Sequence, residues 1–240
     1  MQVLHTLPRA HKRKTILTVS AILTILLIVF TIVAGVSVLD ARSFFIGFFE
    51  SLIRVVASYF ISLVVAIILV LIATSRKWLE DILIPLFDVL QSFPSFALFP
   101  LFVVWFGKSS IVTIFILIIS MIWPILFTLL TGQKEIDEEL LEAAHIFQAK
   151  GLSYYTGVFF PLLLPAIVTG SIIAWGEAWE AIIAAEIIVQ VPGVGTYLAD
   201  SATNAPRVLF VGILALLVIL FLINKFVWLK LLKTSTKYES

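Results

Sequence analysis

The 240 residues are 61% hydrophobic and only 13% charged, with a mean hydropathy of +1.15, far above that of a soluble domain. A formal net charge of +1 gives no footing for nucleic acid, and the lack of any cysteine excludes disulfides, thiol catalysis and thiolate metal sites. The chain therefore reads as an all-α polytopic membrane protein. A single membrane domain is expected over 16–233, between a basic N-terminus at 1–15 and a tail at 234–240.

Six apolar runs meet the ~20-residue requirement of a bilayer. The first, Ile16 to Val36, follows a basic stretch but has no small-residue cleavage site, so it reads as an uncleaved span rather than a signal peptide. The second covers Leu52 to Ala73. Asp40, Arg42, Glu50 and Arg54 around its start read as an interfacial amphipathic segment rather than a site.

The third run, Ile82 to Phe106, contains Pro85, Pro94 and Pro100, and each is expected to break it. Breaks inside a membrane survive only where protein, side chains or water satisfy the freed backbone groups. Asp88, Gln91, Ser92 and Ser95 recur near these prolines at i, i+3, i+4 and i+7, a single polar stripe. That stripe is a candidate for the interior, either as a solute pathway or as polar contacts between helices. Gly107-Lys108-Ser109 is not a phosphate loop, because the glycine needed five positions earlier is Phe102. With no other nucleotide-binding signature in the chain, an ATP-driven function would need its ATPase from a separate subunit.

The fourth run covers Ile111 to Leu130, and a polar, amphipathic segment over 135–157 follows it. Ile136, Leu140, Ala143, Ala144 and Phe147 fall on one helical face, while Glu135, Glu138, Glu139, Glu142 and His145 fall mostly on the other. The acids crowd the first two turns and Lys150 follows the last, as the helix dipole prefers. Gly151 reads as a stop before a second short helix leading into Pro161.

Glu142-Ala143-Ala144, followed by Pro161 and by Pro165 at 23 positions from Glu142, resembles the EAA loop of binding-protein-dependent ABC importer permeases. The resemblance runs from about Glu50 to the C-terminus and is strongest to the nitrate, sulfonate and taurine type. It implies a type I importer membrane domain in the inner (plasma) membrane of a prokaryote. It also implies that Glu139, Glu142, Ala143, Ala144, Phe147, Gly151, Pro161 and Pro165 form a coupling elbow seated on a cytoplasmic ATPase. The implied partners are an ABC ATPase dimer, a second permease subunit and an extracytoplasmic binding protein, with no cofactor and no catalysis by this chain. The family glycine four after the second alanine is Gln148 here. Gly151 is the substitute for that turn, and the departure favours a non-identical partner permease over an identical one.

The fifth run, Phe159 to Val189, carries Glu177, Glu180 and Glu186. A carboxylate inside a bilayer costs about 2.5–3.5 kcal/mol on insertion scales, so such groups face a protein interior or a cavity. At ~1.5 Å per residue from Pro161, Glu177 lies ~24 Å along and Glu186 near the outer interface. Glu186 matches a family position where Ala-Ala-Glu closes the fifth span, whereas Glu177 and Glu180 stand outside the commoner pattern. These two share one face and are candidates for substrate contact, for a protonated gate, for a pairing across the subunit interface, or for bonds to neighbouring helices. With Glu186 and the stripe of the third run they make up the candidate pathway set. The core of no run contains Lys or Arg. Nitrate, sulfonate or taurine is therefore a poor cargo on electrostatic grounds, and a neutral or cationic nutrient such as a vitamin precursor or pyrimidine fits better.

Val191-Pro192-Gly193-Val194-Gly195 turns the chain outside the membrane, and Tyr197, Asp200, Asn204 and Arg207 become candidate contacts for a binding protein. The sixth run, Val208 to Leu231, ends in Trp228 and lysines, read as an interfacial anchor. Twelve of the sixteen Lys and Arg fall on the side of the termini and the elbow, and Arg42, Arg54, Lys108 and Arg207 on the other. The positive-inside rule thus puts both termini and the elbow in the cytoplasm. A rival reading is an ion- or proton-coupled secondary transporter using Glu177 and Glu180, but no convincing internal repeat accompanies it. An intramembrane enzyme is disfavoured because His5, His11 and His145 all lie outside the spans.

Overall fold

The computed structural model describes residues 40–136, 151 and 154–235. The described residues are helical without a strand, in an order set by where apolar runs end. Helix α1 is Ala41–Thr74, α2 Lys77–Gln91, α3 Phe99–Phe106, α4 Ser110–Lys134, α5 Phe160–Val189, α6 Val194–Asn204, α7 Pro206–Ile223 and α8 Leu229–Ser235. A 3-10 turn at Ser95–Leu98 precedes α3, and π-helical turns at Tyr155–Phe159 and Asn224–Trp228 lead into α5 and α8. Four continuous helices among the described residues are long and apolar enough to cross a membrane, and the bent pair α2–α3 makes a fifth. The first apolar run and the elbow from 137 to 150 lie outside the described residues.

The core forms where α4 meets α5 and α1 packs on α4. Lipid tails are as apolar as Leu, so helices associate by close packing and polar contacts rather than by escape from water. The sequence supplies small residues where this is needed. Gly170 of α5 lies so near α4 that an added Cβ would sit 3.0 Å from the Ile125 Cα and 3.1 Å from the Pro124 oxygen. On α1 the buried face carries Ser51, Ser58, Ser62, Ala66 and Ala73 at helical spacing. Ser62 Oγ donates to the Ile118 oxygen of α4 at 3.2 Å and Ser58 Oγ approaches that of Ile114 at 3.4 Å. The opposite face of α1 presents Phe45, Phe49, Ile53, Phe60 and Ile68, exposed as a lipid-facing surface would be. At the elbow end of α4, Glu80 of α2 bridges to Lys134 at 3.2 Å.

Three expectations change. The second run is not 52–73 with a separate interfacial segment before it. The helix begins at Ala41, capped by Asp40, whose carboxylate accepts from the Ser43 amide at 3.3 Å. Phe44, Gly47 and Phe48 are buried in that extension, so it belongs to the bundle. The prolines of the third run act unequally. Pro85 sits inside α2 and Pro100 occupies the first turn of α3, where a missing N–H costs little. Only the stretch around Pro94 breaks the path, turning α2 and the segment 95–106 by 80°. Trp228 is not an interfacial anchor either: it is buried, with its ring 5.8 Å from Tyr59 and 5.6 Å from Trp175.

Candidate translocation cavity and outer clamp

The 80° turn places the polar stripe of the bent span beside the middle of α5. An open cavity of about 340 Å³ results, lined by Gln91, Ser92, Phe93, Pro94, Ser95 and Phe96 from the break, Ser120 and Trp123 from α4, and Glu177, Glu180 and Ala181 from α5. Segments more than 80 positions apart thus meet at one surface. Ser95 and Ser120 hydroxyls lie 3.1 Å apart across it. Glu177 and Glu180 are exposed towards the cavity and, among the described residues, form no ion pair or hydrogen bond.

The structure divides the seven candidate pathway residues. Gln91, Ser92, Ser95, Glu177 and Glu180 line the cavity. Asp88 does not; it stands one turn earlier on α2, accepting from Gln91 Nε2 at 2.7 Å. The break between Ser92 and Ser95 ends the continuous helical stripe, so Asp88 supports the rim through Gln91 while Ser95 swings to α4.

Glu186 also stands apart from the cavity. Its side chain is 0% exposed. One oxygen accepts from Ser51 Oγ and from Arg54 Nη1, both at 2.7 Å, and the other accepts from the Gly195 amide at 2.8 Å. Arg54 also donates to the Pro192 oxygen at 2.7 Å, and the Val194 amide donates to Ser51 Oγ at 2.9 Å. The N-terminal part of α1, the C-terminal end of α5 and the 191–195 turn are thereby joined in one clamp. A buried carboxylate survives only when paired and hydrogen-bonded, which this one is on both oxygens. The glycines of the turn answer to the same crowding: a Cβ on Gly193 would overlap the Glu186 carboxylate, and one on Gly195 would sit 2.5 Å from the Ile183 oxygen.

Arg54 and Ser51 were not among the sequence candidates. The signal that would have found them is Arg54 near one end of an apolar run, set against Glu186 near one end of another. Beside the clamp, Glu50, Gln190, Tyr197 and Asp200 line an open groove of about 690 Å³. Asn204 and Arg207 are exposed beyond it.

Ahead of α5, Gly151 adopts φ 57°, a left-handed conformation that favours glycine, and its oxygen accepts from the Tyr155 amide at 3.3 Å. Pro161 occupies the first turn of α5, and Pro165 is buried within that helix. Glu139, Glu142, Ala143, Ala144 and Phe147 lie outside the described residues.

Residues 62–229 match the family described as binding-protein-dependent transport system inner membrane component. The chain belongs to that family. Among curated relatives, the nitrate import permease protein of Synechocystis sp. is 29% identical over 178 residues, covering 72% of this chain and 65% of that protein. The bicarbonate transport system permease protein of Synechococcus elongatus is 32% identical over 152 residues, covering 63% of this chain and 55% of that one. The putative aliphatic sulfonates transport permease protein of Bacillus subtilis is 29% identical over 196 residues, 79% of this chain and 70% of that protein. The chain thus spans less than two thirds of the length of the first two of these relatives. As a family member it is a transport component rather than a catalytic enzyme, and the all-α architecture of its described residues agrees with the family.

Proposed function

We propose that the chain is the permease subunit of an ABC importer in the inner membrane of a prokaryote, with both termini cytoplasmic. Two permease chains enclose the pathway, cytoplasmic ATPases grip the 135–157 elbows, and an extracytoplasmic binding protein delivers a small nutrient. The observation that carries this reading is the cavity between the Pro94 break and α5, within a chain of the binding-protein-dependent family. It is open on one side and brings carboxylates, an amide and hydroxyls together among apolar side chains, as half of a pathway completed by a second permease would. Broken helices are tolerated at membrane depth where they line a cavity.

The chain hydrolyses nothing; the force comes from partner ATPases through the elbow. Ile136, at its described beginning, packs against the hydrophobic core, and α5 begins directly beyond its other end. A push on the elbow therefore reaches α4 and α5, which carry two walls of the cavity. Glu142→Arg or Ala143→Asp is expected to release the ATPase while leaving the bundle folded. Co-purification from detergent, with size-exclusion profiles as the folding control, checks this; undiminished ATPase recovery would sink the coupling role. Uptake in vesicles that follows an ion gradient without ATP would sink the importer reading itself.

A further inference from the structure

The cavity has two unlike walls. Glu177 and Glu180 stand one turn apart on α5 and face it from one side, while Phe93, Phe96 and Trp123 contribute aromatic surface from the break and from α4. Phe93 and Phe96 are exposed to the cavity rather than spent in the core. Among the described residues, neither Lys, Arg nor His lines the cavity. Four cations of the described residues are held by other partners: Arg54 by Glu186, Lys108 by Gln190, and Lys77 and Lys134 by Glu80. The sequence has no Lys or Arg between Lys14 and Arg42, so the first apolar run brings none. A second copy of the chain would add two more carboxylates and no counter-charge.

Two carboxylates at membrane depth, mutually repulsive and without a protein cation, are unfavourable until a positive charge arrives. An anion would meet the same field with the opposite sign. Within one chain, no group of three or more His, Cys, Asp or Glu gathers among the described residues, so one copy offers a bare divalent metal ion too few ligands. Aromatic faces and carboxylates together suit a ring-bearing or alkylated ammonium, held by charge on one side and by cation–π contact on the other. A volume of about 340 Å³ is at the small end of the range for ligand sites.

We propose that the cargo crossing this cavity is a small organic cation, with Glu177 and Glu180 as its counter-charges and Phe93, Phe96 and Trp123 as its apolar wall. The proposal rests on the cavity being the pathway, and it sets this chain apart from relatives whose names specify nitrate, bicarbonate and sulfonates.

The test uses the full importer, the chain with its cognate ATPase and binding protein, in proteoliposomes supplied with ATP. The probes are a set of small ring-bearing and alkylated ammonium ions, neutral compounds of the same size, and nitrate, bicarbonate and an alkanesulfonate. Internal contents are read by mass spectrometry. Accumulation of cations is expected, falling at least about tenfold in Glu177→Gln/Glu180→Gln while ATPase recovery is unchanged. Accumulation of an anion in place of the cations overturns the proposal, as does accumulation of no cation, or full cation uptake by the double variant. A Ser95→Trp plug separates the two levels of the argument. If it blocks uptake of an anion, the cavity is the pathway and only the charge assignment fails; if it leaves uptake untouched, the pathway reading fails.

Discussion

Arg54 and Glu186 meet at 2.7 Å with the carboxylate wholly out of contact with solvent. Each group alone would be costly at that depth, and together they hold the 191–195 turn through the Pro192 oxygen and the Gly195 amide. Removing one partner of a buried pair typically costs about 3–5 kcal/mol, because the other charge is left without compensation. Arg54→Met is therefore expected to destabilise the purified protein by about that amount, and adding Glu186→Leu is expected to recover part of it. Denaturation in detergent micelles measures both, and equal losses in the single and double variants would deny the coupling. Gly193→Ala is expected to act at the same place by steric means, since its Cβ would displace the Glu186 carboxylate. A loss of about 1–3 kcal/mol follows from overpacking of this kind.

Among the elements, the bent span shows how one residue type can do different work at different positions. Pro85 lies within α2 and Pro94 at its end, in an extended conformation with φ −61° and ψ 117°. The residue before a proline is pushed away from the helical region, so a helix ends most readily just ahead of one. Whether it does depends on what waits beyond the break. After Pro94 the chain finds Ser120 for Ser95 and a new helix from Phe99. Pro94→Ala is expected to let the segment 92–98 extend as helix, whereas Pro85→Ala is expected to leave the 80° turn in place. Spin labels at Asp81 and Val104, both exposed, report the outcome as a distance: it lengthens for the first variant and stays constant for the second. No change in either would place the cause of the turn outside Pro94. Cavity and turn are one feature, so straightening the span is also expected to reduce transport.

For the molecule as a whole, charge predicts an orientation. On the positive-inside rule Lys134 and the lysines of α8 are expected on the cytoplasmic side, and Lys108, Tyr197 and Arg207 on the opposite side. The chain has no cysteine, so a single introduced one is its sole thiol. Cysteine at Asp200 is expected to react with a membrane-impermeant maleimide in intact cells, while cysteine at Gln133 or Lys237 is expected to react only after lysis. The reverse pattern would put the elbow outside the cell and remove its contact with any ATPase. The groove at Tyr197 and Asp200 would then face the cytoplasm and could not receive a binding protein.

How far the fold and the cavity were legible depends on whether each signal is local. Span composition, the polar stripe from Gln91 to Ser95 and the shared face of Glu177 and Glu180 are periodicities within one segment, so one chain of letters suffices to find them. That these two faces meet was not legible, because it depends on an 80° turn at one of three prolines and on Gly170 admitting α5 against α4. Trp228 illustrates the same limit: a tryptophan near lysines has the composition of an interfacial anchor, yet the path of α7 and α8 carries it onto Tyr59 and Trp175. By itself the sequence determined the class of molecule and the apolar runs it is built from, since transfer of each side chain into lipid is a property of that side chain. Only the tertiary structure decided that Arg54 neutralises Glu186 while Glu177 and Glu180 keep an open cavity for themselves. Pairing a charge requires a partner within a few ångströms, and distance in space is not written in distance along the chain.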